Sequence, residues 1–130
     1  PVVAGGDAEK EAITKAIMDY AEGWYAGDAA RMESCLHPDL AKRVVQVDEK
    51  SGETKLVGMD AAQLIEYTKA AYGKKTPKDQ QVKDAKVMDV FGNAATAKLT
   101  MAGWVDYMHL AKLDGKWYIV NVLWEPLPDK

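Results

Sequence analysis

The stretch from Gln81 to Glu125 constrains this chain most, because it reads as strand almost throughout and is broken only by turn residues. Gly92-Asn93 and Asp114-Gly115 are built from the residues that reach the backbone angles of a two-residue hairpin turn. They predict two hairpins, Gln81–Phe91 with Ala94–Ala102 and Trp104–Leu113 with Lys116–Glu125, with Gly103 between them as a bend or bulge. A two-residue turn also sets the register. Leu113 then opposes Lys116, Lys112 opposes Trp117, Leu110 opposes Ile119, Met108 opposes Asn121 and Asp106 opposes Leu123. These residues share one face, with Trp104 and Glu125 at its far end. The other face carries Val105, Tyr107, His109, Ala111, Tyr118, Val120, Val122 and Trp124. Neither face is purely polar, so both are expected to be covered. The first is assigned to helices, because Leu110, Ile119 and Trp117 make its best apolar patch. The second is assigned to a partner subunit. A bulge near Gly103 would reverse the parity at the Trp104 end.

Helices precede this sheet. Ile13, Ala16, Ile17, Tyr20, Ala21 and Trp24 recur at the spacing of one helical face, with Asp7 as the expected N-cap and Gly27 as the stop. Asp28 is placed to cap a second helix from Ala29 to about Leu36, which His37-Pro38 should end. Leu40–Val47 and Thr54–Val57 read as strands joined across Ser51-Gly52. Asp60 and Gln63 have capping-box spacing and begin a third helix that should run to about Tyr72 and stop at Gly73. The expected class is therefore α+β, with three N-terminal helices packed on a curved, mostly antiparallel sheet around an apolar hollow. Residues 1–6 read as a loose, disordered tail and 7–130 as a single domain.

Size and charge narrow the functional classes. At 130 residues and 14.3 kDa, with 48% hydrophobic and 28% charged residues, the chain has the composition of one folded domain. A net charge of −3 and a pI near 5.4 argue against nucleic acid as the main partner. No apolar run approaches the ~20 residues of a membrane span. Cys35 is the sole cysteine, which excludes an intrachain disulfide, and its setting reads as a small buried apolar group. Two histidines without a third ligand give no expected metal site, and no cofactor motif is present, so no cofactor is expected. The chain starts at Pro1 without a methionine, which leaves location open between cytoplasm and, if a leader was trimmed, periplasm or exterior.

Asp106 and Asn121 stand out as polar groups on the apolar face. A carboxylate there would lose water, rise in pKa and become able to move protons, or else serve only as a hydrogen-bonded structural group. His37, where the second helix meets the first strand, is the candidate partner in an acid–base dyad with Asp106. Tyr20, Trp24, Trp104, Met108, Trp117 and Asn121 are the candidate ligand-lining residues. Lys42 and Arg43 read as solvent-facing, and His109 as an interface residue.

Several segments also carry a resemblance. Asp19–Asp28 with its Gly23-Trp24-Tyr25-Ala26-Gly27 core, His37-Pro38-Asp39-Leu40, and Val90-Phe91-Gly92-Asn93 resemble the nuclear transport factor 2-like superfamily. So do Trp104-Val105-Asp106-Tyr107, Asp114-Gly115-Lys116-Trp117 and Ile119-Val120-Asn121. The nearest branch is the bacterial one labelled putative lumazine-binding. The resemblance spans Glu9 to Pro126 and implies a cone-shaped α+β barrel of cystatin-like fold, a pocket between helices and sheet, and homodimers through the sheet. It leaves activity undecided, since the superfamily holds both enzymes and non-catalytic domains. Three readings follow: a domain binding a small organic ligand, a cofactor-independent lyase or isomerase using a pocket aspartate, and a dimerisation domain.

Overall fold

The computed structural model describes residues 6–128. The tail expected at the N-terminus lies outside the described residues except for Gly6. Helix α1, Asp7–Ala26, is capped by Gly6 rather than Asp7. Asp7 and Glu9 occupy its first turn instead, where their charge meets the positive end of the helix. Gly27 ends α1 in the left-handed conformation at φ 67°. Asp28 then caps α2, Ala29–Cys35, its carboxylate accepting from the Arg31 backbone N–H at 3.0 Å.

Strand β1, Leu36–Val47, follows α2 without a loop. Pro38 does not separate helix from strand as expected. The ladder between β1 and the last strand instead shifts register between Leu36 and Ala41, so the prolyl segment stands out of the pairing. Strand β2, Thr54–Asp60, leads into α3, Ala61–Lys69. Asp60 and Gln63 form the reciprocal capping box, at 2.8 and 2.9 Å. Helix α3 is shorter than its sequence pattern suggests, because Ala71 turns left-handed and Tyr72–Lys75 forms a single 3-10 turn. Gly73 is obligatory in that turn: a Cβ there would lie 2.2 Å from the Trp24 carbonyl oxygen.

Strands β3 (Lys83–Phe91), β4 (Ala94–Met101), β5 (Trp104–Leu113) and β6 (Lys116–Pro126) complete a six-stranded sheet ordered β2-β1-β6-β5-β4-β3. The β1–β6 pair is parallel and the others antiparallel. The sheet stays open, with β2 and β3 as its edges. Ile13, Ile17 and Tyr20 of α1, Met32 of α2 and Leu64 of α3 share one core with Leu99, Met108, Leu110 and Ile119 of the sheet.

The last hairpin keeps the expected register from Leu113↔Lys116 to Leu110↔Ile119 and then slips. Val120 is the extra residue of a bulge. Beyond it His109 opposes Asn121, Met108 opposes Val122 and Asp106 opposes Trp124. Parity in β6 reverses there, not at Gly103. Val122 and Trp124 turn toward the helices, and Asn121 and Leu123 turn away.

Candidate functional site

Asp106 is the chemical centre of the helix-facing side. It lies on β5 between Leu99 of β4 and Trp124 of β6, and none of its surface is exposed. Its Oδ2 accepts from the Trp104 indole N–H at 2.9 Å, while its buried Oδ1 has no hydrogen-bond partner. Loss of water raises its pKa, and the positive charge of Lys42 and the Trp104 hydrogen bond pull the other way.

Sequence reasoning missed the burial of Lys42: expected to face solvent, it is 7% exposed, and Tyr20 is 1% exposed. The signal was present: Lys42 shares strand parity with the buried Leu40 and Val44. The Lys42 Nζ donates to the Tyr20 hydroxyl and lies 5.0 Å from the centroid of the Tyr20 ring and 5.9 Å from that of Trp124. Burial lowers the pKa of Lys42, and Asp106 opposes that shift. Burial also holds Tyr20 well above 10.0, with further rises from the charges of Asp106 and Cys35. Aspartate and lysine are thus both pushed toward their uncharged forms by the same dry surroundings.

A chain of tryptophans connects this group to the surface. The Trp24 and Trp104 ring centroids are 6.2 Å apart, as are those of Trp104 and Trp124, and both pairs are edge-to-face. All three tryptophans are half-buried. Trp104 joins them to the fully buried Asp106 carboxylate through its indole N–H.

Tyr20, Trp24, Trp104 and Asp106 come together, with Met108 buried on the same side of β5. Trp117 is buried at a different point, where its indole N–H donates to Glu9 at 2.7 Å beside the Lys112–Glu9 ion pair, tying β6 and β5 to α1. Asn121 is a correction: the Val120 bulge carries it to the outer face, where its Nδ2 lies 3.4 Å from His109 Nδ1. The His37–Asp106 dyad is a second correction. The His37 ring accepts from the Asp39 backbone N–H and packs edge-on against Tyr118, apart from Asp106. A groove of ≈ 560 Å³ lies on the outer sheet face, not on the helix-facing side where the pattern suggested a pocket, and is lined by Arg43, Leu56, Met88, Tyr107, His109 and Asn121 among others.

The sequence pattern of the family described as "Putative lumazine-binding" matches residues 8–125. The chain belongs to this family. No curated protein matches it. Among solved structures, an NTF2-like protein of unknown function from Shewanella baltica is 23% identical, covering 94% of this chain and 96% of its own, with a TM-score of 0.73. An NTF2-like protein of unknown function from Methylobacillus flagellatus is 20% identical, covering 95% and 96%, with a TM-score of 0.67. A protein of unknown function with a cystatin-like fold from Nostoc punctiforme is 15% identical, covering 98% and 97%, with a TM-score of 0.68. This member of the family therefore has the NTF2-like, cystatin-like fold. Among its described residues, no helix is long and apolar enough to cross a membrane.

Proposed function

We propose that this protein binds a small, flat, heteroatom-bearing organic molecule at Asp106, entering from the Trp24–Trp104–Trp124 end. The observation that carries the reading is the unpartnered Oδ1 of a fully buried carboxylate. A buried acceptor left unpaired costs about 1–3 kcal/mol, which a ligand N–H or O–H aimed at it would recover. Trp104 already donates to the other oxygen, so a ring that reached Asp106 from this end would meet aromatic side chains and a carboxylate together. The Lys42 amine, already donating to the Tyr20 hydroxyl, supplies a donor for a ligand carbonyl. Lumazine, the ring named by the family, is a pteridinedione that carries both N–H and C=O groups. Calorimetric titration with lumazine and simpler heteroaromatic lactams tests the reading. The wild type should bind at least one, and Asp106→Asn should weaken that binding roughly tenfold or more. Equal affinity in both proteins would contradict it.

A second reading is favoured by the company Asp106 keeps. A buried carboxylate facing the interior with a Tyr–Lys pair has the parts of a proton-transfer site for an enolisable substrate. Exchange of ketone α-protons with solvent, followed by NMR, should be faster with the protein than without it and should vanish in Asp106→Asn. The outer sheet face supports a homodimer: Leu56, Met88, Tyr107 and Leu123 are exposed together on it.

A further inference from the structure

We infer that Lys42 captures the carbonyl carbon of a small aromatic aldehyde or ketone as an imine, with Tyr20 relaying protons and Asp106 balancing the charge. This rests on the reading of the Asp106 region as a ligand site and adds the chemical class of one ligand and a covalent step. Three geometric observations carry it. Lys42 is buried among aromatic rings, with its Nζ over Tyr20 and Trp124, so the amine lacks the water shell that keeps surface lysines protonated. Its nearest polar partner is a hydroxyl, not a carboxylate: Nζ is bonded to the Tyr20 oxygen, and among the described residues it forms no ion pair. Lys42 also lines an open depression of ≈ 310 Å³ with Leu40, Met59 and Gln63, between β1, β2 and the start of α3.

The chemistry balances within these residues. The Nζ lone pair attacks the carbonyl carbon, forming the C–N bond while the C=O π electrons move to oxygen. Both protons of the neutral amine end on that oxygen through the Tyr20 hydroxyl, and it departs as water as C=N forms. The imine then takes the proton of an Asp106 carboxylic acid, leaving an iminium facing a carboxylate. The burial that favours a neutral amine and a neutral acid before reaction is the starting state this requires.

The test is reductive trapping on the intact protein with benzaldehyde and sodium cyanoborohydride at about pH 7, where exposed lysines with pKa values near ~10.4 are almost wholly protonated. Peptide mass mapping should find one benzyl group per chain, at Lys42, before exposed lysines react. Tyr20→Phe should slow that labelling about tenfold or more. Lys42→Arg should lose it and still show a thermal shift with benzaldehyde. Benzyl groups spread over exposed lysines with Lys42 unmodified would overturn the imine. A thermal shift of the wild type without trapping at Lys42 would overturn the imine and leave ring binding standing. Neither shift nor trapping would count against both.

Discussion

Asp106 and Lys42 lose water in the same place, and their titrations oppose one another. The Asp106 pKa is raised from 3.8, chiefly by burial, so its contribution to stability is full below that value and falls as pH rises through the folded-state pKa. The Lys42 pKa is lowered from 10.5, also chiefly by burial, so its contribution is full above 10.5 and is lost as pH falls through the folded-state pKa. Asp106→Asn should therefore gain in melting temperature relative to wild type as pH rises from the carboxylate range toward neutral. Lys42→Met should raise the Asp106 pKa further, because it removes the positive charge that pulls it down, and so extend the gain of Asp106→Asn over its parent to higher pH in thermal melts. Cys35 is simpler. Burial pushes its thiol up to about 12, and the Sγ donates to the Met32 carbonyl at 3.1 Å. Iodoacetamide at about pH 8 should leave it untouched in the folded protein and alkylate it in denaturant. The interior position of Asp106 was legible from strand alternation in Trp104–Leu113. Lys42 was legible in the same way but was overruled by its charge, since lysine is rarely buried.

At the scale of elements, turn and cap chemistry was readable because it depends on neighbours a few residues away. Asp28, Asp60 with Gln63, Gly27 and the Asp114-Gly115 turn all act as their residue types suggest. Asp60→Ala should cost about 1 kcal/mol in chemical denaturation. The Val120 bulge was not readable, because β6 carries apolar residues on both parities and a one-residue slip leaves no mark in its pattern. That slip alone moved Asn121 out of the site and Trp124 into it. The role of Gly73 was also hidden, since its constraint comes from Trp24, far away in sequence. Gly73→Ala should cost about 1–3 kcal/mol, as overpacking does, and disturb the Trp24 fluorescence environment.

For the whole molecule, the order of helices, hairpin, helix and meander determines which side of the sheet is covered. Helices α1, α2 and α3 bury one face, while the other keeps Tyr107, Leu123, Met88 and Leu56 exposed around a groove. The homodimer proposed through that face should appear in sedimentation velocity at twice the chain mass. Tyr107→Asp with Leu123→Asp should return it to monomer without loss of circular dichroism. The ligand site is proposed for the covered face, and one measurement addresses it directly: a crystal structure of the protein grown with lumazine or the tightest-binding lactam of the titration. The ring is expected among Trp24, Trp104 and Trp124 with a donor within hydrogen-bond distance of Asp106 Oδ1. A ring bound in the outer groove, with Asp106 Oδ1 untouched, would contradict the account.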